Sequence, residues 1–203
     1  MNARGVTGAR GKAMVDLKKV EQATRMLLEG LGEDAEREGL KDTPKRVARM
    51  WKELVAGMDQ RAEDIMKAMP MEEYDEIILL RDIPLMSTCE HHLVPFIGKA
   101  HVAYLPKDKR MTGLSKLARI VEMESRKLQV QERLTSAVAD DIMKTLGPRG
   151  VMVVIEAEHL CMTIRGVQKP GSITVTSVVR GAFLKSAATR AEALSLLMQG
   201  RSR

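Results

Sequence analysis

Along residues 14–31 the apolar positions Met14, Leu17, Val20, Leu27, Leu28 and Leu31 fall at helical spacing, with Lys18, Lys19 and Glu21 between them. The pattern predicts an amphipathic helix that stops at Gly30 or Gly32. In DTPKRVARMWKELVAG, Thr43 suits an N-cap and Pro44 the first helical position. Val47, Met50, Trp51, Leu54 and Val55 then form one stripe, so a second helix follows. Beyond it the period changes. A β-rich run from Tyr74 to Ile83 is closed by Pro84. Residues 99–105 alternate, with Ala100, Val102 and Tyr104 facing one way and His101, Ala103 and Leu105 the other.

Helical spacing returns in Leu117, Ile120, Val121 and Leu128, and again in Leu134, Val138, Ile142 and Leu146, the latter stopped by Gly147-Pro148. The β-branched runs from Val151 to Ala157 and from Ser172 to Val179 predict two more strands, and a short helix closes the chain near residues 187–198. Strand pairs separated by paired helices imply an α+β fold: an antiparallel β-sheet with two helices packed on one face, preceded by N-terminal helices. The chain divides into a flexible basic tail over 1–13, rich in Gly and Arg, a helical region over 14–70, and a main domain over 71–203. No internal repeat is present.

The 203 residues are 44% hydrophobic and 30% charged, the balance of an ordinary globular protein with a sizeable core. No apolar run reaches the roughly 18 residues of a membrane span, and the first residues lack the apolar stretch of a signal peptide, so the expected address is the cytoplasm. A net charge of +6 raises the question of nucleic acid. Trp51, Tyr74, Phe96, Tyr104 and Phe183 do not interleave with basic residues as a single-strand binder requires, and a small polyanionic substrate fits better. The 15 methionines occupy stripes and loops and suggest adaptable packing.

The chemistry gathers in two short segments. Cys89-Glu90-His91-His92 offers a thiolate and an imidazole three positions apart, and His159-Leu160-Cys161 offers a second pair. Sulfur with imidazole favours zinc over a harder cation, and a metal site over a disulfide between Cys89 and Cys161. Spacing alone leaves open whether the site is catalytic, with a position for water, or structural, with His91 or His159 as a fourth ligand. The adjacent His91 and His92 diverge in extended chain, so one can bind while the other moves protons. His101 is expected to be a partly buried or surface residue without chemistry, and Asp140 and Asp141 to face solvent. The chain has no GxxxxGK[ST] phosphate loop. Gly113-Leu114-Ser115-Lys116 instead opens a helix with Lys116 and Arg119 near its positive end, suited to an anion.

Taken together, SxCEHHLVPFxGKAHVAYLP, GLSKLARIVE, LQVQERLT, EHLCMTIRGV and TVTS resemble GTP cyclohydrolase I in order and spacing from about Thr43 to Phe183. The resemblance implies the tunnelling fold, assembly into a homo-oligomer, commonly a decamer with sites at subunit interfaces, and GTP as substrate. It implies zinc on Cys89, His92 and Cys161, leaving His91 and His159 for acid and base work. In that family an activated water attacks C8 of guanine while a histidine matching His159 protonates N7; formate leaves, and the ribose rearranges to give 7,8-dihydroneopterin triphosphate. Ser115, Lys116, Arg119 and Arg165 match ribose and triphosphate contacts, Gln131 and Glu132 the holders of the guanine edge, and Arg46 and Arg49 cations reaching the triphosphate from a neighbour. The chain departs from the family pattern at Glu124 and Ser125, where an aromatic and a small residue are common, and at Arg180, where an apolar residue is usual. A non-catalytic zinc module would not need His91 and His159, and the related nitrile reductases lack the zinc ligand triad.

Overall fold

In the computed structural model, residues 15–70 and 74–199 are described; the basic tail expected over 1–13 lies outside them. Helix α1 (Leu17–Gly30) begins at Asp16, whose carboxylate accepts the Lys19 N–H at 3.1 Å, and packs against α2 (Thr43–Leu54). Asp42 takes the N-cap position of α2, one residue before Thr43, and Pro44 sits in the first turn as expected. A 3-10 turn (Ala56–Asp59), α3 (Ala62–Ile65) and β1 (Ala68–Pro70) follow. Gly57 joins this region to the rest. Its N–H donates to Arg126 O at 2.9 Å, and a Cβ there would lie 1.9 Å from Met123 O, so only glycine permits the approach.

The sheet contains β2 (Ile78–Cys89), β3 (Pro95–Leu105), β5 (Leu128–Gln129), β6 (Gly150–His159) and β7 (Ile173–Gly181) in the order β5-β2-β3-β6-β7. Every pairing is antiparallel except the short β5–β2 bridge. A second, two-stranded sheet pairs β1 with β4 (Arg110–Thr112), so the N-terminal region and the main domain exchange backbone hydrogen bonds. Helices α4 (Leu114–Ser125) and α5 (Gln131–Leu146) cover one face of the large sheet. Leu117, Ile120, Leu134, Val138 and Ile142 meet Ala100, Val102, Val153 and Ile155 there, all fully buried. Gly147, at φ +66°, ends α5 in the left-handed conformation the Gly-Pro signal implied.

Several of the sequence expectations change. Strand β2 runs through Pro84 to Cys89 instead of ending there. Pro84 lies opposite Lys99, and on its other side β2 has a neighbour only at Thr88 and Cys89, so the missing N–H leaves no ladder bond unmade. Leu128 leaves the helical stripe because α4 ends at Ser125, and it forms β5. The short helices α6 (Leu160–Thr163) and α7 (Ala182–Lys185) carry no periodic signal. With α8 (Ala187–Met198), α7 lays Phe183, Ala193 and Leu197 on Ala103, Leu105, Met152 and Val154, covering part of the second sheet face. That cover explains why β3 is buried on both sides. His101, expected to be at most partly buried, is 1% exposed; its Nδ1 accepts the Asp82 N–H at 3.0 Å where β2 bulges, and its Nε2 faces Glu156 at 3.5 Å.

The Asp140–Asp141 doublet diverges as expected, Asp140 remaining exposed while Asp141 is half-buried. Asp140 receives Arg180 Nε at 2.8 Å, and Asp141 is hydrogen-bonded to the buried Glu124, which also holds Lys127. Both departures from the family pattern with a charge therefore end on this doublet. Burial, and then the charge and hydrogen bond of Glu124, push the Asp141 carboxyl up to about 6. Between the ordinary value of about 4 and that point, the unfolded chain gives up this proton while the folded chain keeps it, so stability falls as pH rises through the window. Asp141→Asn, which still donates to Glu124, is expected to remove this slope. It should raise the thermal midpoint at pH 7.5 by roughly 2–4 °C, about 1 kcal/mol once partial exposure is discounted. Thermal unfolding of both proteins from pH 4 to 8 checks it; parallel curves would refute the assignment.

Candidate active site

Three strand ends meet at one edge of the fold. Cys89 closes β2, Phe96 lies near the start of β3, and His159 closes β6, with Phe96 and His159 in register across the β3–β6 ladder. Between β2 and β3 the chain makes a turn in which Cys89 N–H donates to Val94 O at 2.9 Å and Leu93 N–H to Cys89 O at 2.8 Å, with Leu93 left-handed at φ +57°. The turn folds His92 back toward Cys89, its Nδ1 3.9 Å from the Cys89 Sγ. Helix α6 brings Cys161 to the same place. One donor atom each from Cys89, His92 and Cys161 all lie within 4.8 Å of one another.

These donors suit a small soft cation. Tetrahedral bonds of about 2.3 Å to sulfur and about 2.0 Å to nitrogen separate the ligand atoms by about 3.5–3.8 Å, close to the spacing present. Burial, and next the neighbouring Cys89, push the Cys161 thiol up. Two thiols side by side resist becoming thiolates together, and a divalent cation reverses that preference. Both cysteines are free thiols, the form in which a metal can take them. His91 turns away from His92, the rings standing at 88° with centroids 6.2 Å apart. Arg165 Nη1 lies 3.2 Å from His92 Nε2, placing this guanidinium beside the donor group.

His159 is held on two sides. Its ring stacks on Phe96 with centroids 4.7 Å apart, and its Nε2 lies 2.8 Å from Gln131 Oε1. The Gln131 amide has one possible orientation, because its NH2 donates to Ile155 O and Thr174 O, each at 3.0 Å. Its oxygen therefore accepts, and the proton of neutral His159 sits on Nε2, leaving Nδ1 with the lone pair. Thr176 Oγ1 also accepts from this NH2, and the Thr135 hydroxyl, which donates to the Gln131 backbone carbonyl, is hydrogen-bonded to Thr176 in turn. Burial lowers the His159 pKa, opposed by the nearby Glu132 charge.

A cleft of about 200 Å³ joins Cys89, Cys161, His91, His159 and the first turn of α5. Glu132 lines it, exposed and without an ion pair or hydrogen bond among the described residues. Gln131 lines it too but is only 1% exposed, its amide committed to His159 and the backbone. Its oxygen is taken by the His159 ring and its NH2 by backbone carbonyls of β6 and β7. Ser115, Lys116 and Arg119 are elsewhere. The C-terminal end of α4 is the end near the cleft, where Ser125 O accepts the Ser87 hydroxyl at 2.8 Å. Ten residues back along the helix, Ser115 lies about 15 Å further off. Arg46 and Arg49, exposed on α2, do not line the cleft either. The Phe96 platform and the Thr135–Thr176 brace escaped sequence reading, since only strand register brings them to His159.

The GTP cyclohydrolase I sequence profile matches residues 20–198. The chain belongs to the GTP cyclohydrolase I family. GTP cyclohydrolase 1 of Carboxydothermus hydrogenoformans is 61% identical over 184 residues, covering 91% of this chain and 96% of that one. The Pelotomaculum thermopropionicum protein of the same name is 59% identical over 184 residues, with 91% and 98% covered. Among solved structures, an apo archaeosine synthase of the QueF-like type covers 54% of this chain and 98% of its own at 13% identity and a TM-score of 0.45.

Within this member of the GTP cyclohydrolase I family, the donor set predicts a sharp effect. Cys161→Ala is expected to purify with well under one equivalent of metal, against about one in the parent protein, as measured by inductively coupled plasma mass spectrometry. Full metal content in the variant would remove Cys161 from the donor set.

Proposed function

We propose that this chain is a zinc-dependent GTP cyclohydrolase, converting GTP and water to formate and 7,8-dihydroneopterin triphosphate, the entry to tetrahydrofolate and related pterins. The observation that carries this reading is the Cys89/His92/Cys161 donor group at a cleft that Cys89 and Cys161 line together with two further histidines and the exposed carboxylate of Glu132. Zinc held there supplies the Lewis acidity that makes a water nucleophilic at neutral pH. Membership of a family whose relatives at about 60% identity are GTP cyclohydrolases supports the activity.

The chain's own residues divide the remaining work. Glu132 accepts the two adjacent donors of guanine, N1–H and the exocyclic amine, and so turns the imidazole ring of the base toward the cleft. His159, stacked on Phe96 and with its Nε2–H held by Gln131, takes up a proton on Nδ1 from solvent and passes it to N7 as C8 is attacked. His91, exposed on its turn, shuttles the second proton as the ring opens and formate departs. Arg165 stands beside the donors and meets the ribose or phosphates. Gln131 enters as a positioning residue in place of a substrate contact.

A cleft of about 200 Å³ falls below the roughly 300–1,000 Å³ of a small-molecule site, enough for the base but not the triphosphate. Ser115, Lys116 and Arg119 gather at the start of α4, whose N-cap residue Gly113 leaves the first amides without a side-chain partner. Because this phosphate site and the cleft lie at opposite ends of α4, the complete site joins the cleft of one copy to the α4 start of another, in a homo-oligomer such as a decamer. Arg46 and Arg49 supply further cations from a neighbour. The open outer edge of β7, with Ile173 and Val175 exposed, gives a second copy a place to extend the sheet.

Purified zinc-loaded protein incubated with GTP is expected to release formate and, after oxidation, fluorescent neopterin; zinc-loaded protein that makes neither refutes the activity. His159→Ala and Lys116→Ala are each expected to lose about 100-fold or more in rate. Mixed oligomers of the two are expected to recover about one quarter of the parent rate, since a shared site can draw its intact halves from different copies. No recovery on co-expression would place both residues in one chain's site.

A further inference from the structure

The turn that carries Cys89, His91 and His92 is anchored to its surroundings at Glu90. Glu90 N–H donates to Gln129 O at 3.0 Å, and the Glu90 carboxylate takes a hydrogen bond from Arg133 Nη2. Arg133 is the third residue of α5, immediately after Glu132. Its guanidinium also donates to Leu128 O at 2.7 Å and to Gln129 Oε1 at 2.9 Å. Gln129 is 2% exposed and is fixed in turn by donating to Glu124 O at 3.0 Å. One planar group thus spans from the start of α5, across β5, to the middle of the metal-donor turn.

We infer that Arg133 and Glu90 form a positioning pair that holds the Cys89–His92 donor turn against the first turn of α5, setting the metal donors relative to Glu132 and Gln131. The inference rests on Cys89, His92 and Cys161 being metal donors. Apart from the Glu90 amide bond and the two-residue β5 bridge, little backbone pairing restrains this turn from the α5 side. A rigid fork with several donors can fix both distance and angle, which a lysine ammonium cannot. The pair also occupies Arg133, so this cation does not neutralise its neighbour Glu132.

An exposed ion pair contributes little to global stability, whereas partners that orient metal ligands typically change metal affinity by about 10–100-fold. Zinc-loaded parent, Glu90→Gln, Arg133→Gln, Arg133→Lys and the Glu90→Gln/Arg133→Gln double variant are challenged with a chromogenic chelator. Both Gln variants and Arg133→Lys are expected to bind zinc about tenfold more weakly. The double variant should be no weaker than either single one, because both changes remove one interaction. Thermal midpoints in saturating zinc are expected to move by less than about 2 °C. Unchanged affinities, additive losses, normal affinity in Arg133→Lys, or affinity losses matched by a large fall in thermal midpoint would each overturn the positioning role. A parent protein that binds no zinc would overturn the donor assignment itself, whereas a zinc-binding parent with unaffected variants overturns only the pair.

Discussion

The pairing of β3 with β6 is the constraint on which the rest of the molecule depends. Ten consecutive partners run without a bulge from Leu105 opposite Gly150 to Phe96 opposite His159. That register fixes which side of each strand meets α4 and α5, and it delivers the ends of both strands to the same edge. Phe96 becomes the platform for the His159 ring, the Cys89–Val94 turn and α6 emerge side by side, and their sulfurs meet. A slip of one residue would turn every inward side chain of β6 outward and carry His159 off its platform. Packing and chemistry are therefore specified together: the ladder that buries Val102 against Val153 is the one that assembles the donors.

Much of this was legible in the residues, and the parts that were not share a cause. Helices α1, α2, α5 and α8 announced themselves through periodicity and end signals, as did the cores of β3, β6 and β7. Pro84 misled because its effect depends on whether a strand lies on its N–H side, a property of the sheet and not of the segment. His101 misled because α7 and α8 return from the far end of the chain to help cover its face. In the site, residue types pointed to a cysteine–histidine metal centre and the family resemblance to its three donors, but the hydrogen-bond partners of Gln131 were hidden. A glutamine at a helix start resembles a ligand-binding amide until its partners on β6 and β7 are known.

The polar groups near the cleft follow a division set by burial. Those that orient others are enclosed and fully paired, as Gln131 is through Ile155, Thr174 and His159. Those that line the cleft without such bonds among the described residues, Glu132 and His91, are exposed. A buried amide with every bond made is rigid, and it can hold an imidazole in one tautomer at no cost during reaction. The exposed carboxylate keeps its charge available because the adjacent Arg133 is engaged elsewhere.

The Asp140–Asp141 doublet has a consequence for comparing this chain with its relatives. Arg180 reaches it from β7 and Glu124 from α4, so three elements far apart in sequence share one patch of hydrogen-bonded charged groups. Exchanging any one of these segments with a homologue carrying an apolar residue there would strand a half-buried carboxylate or guanidinium without its counterpart. Segments around 124, 140 and 180 therefore form a single unit of inheritance, tolerant of replacement as a set and intolerant piecemeal. Recombination between family members should find its permitted crossover points outside that triangle.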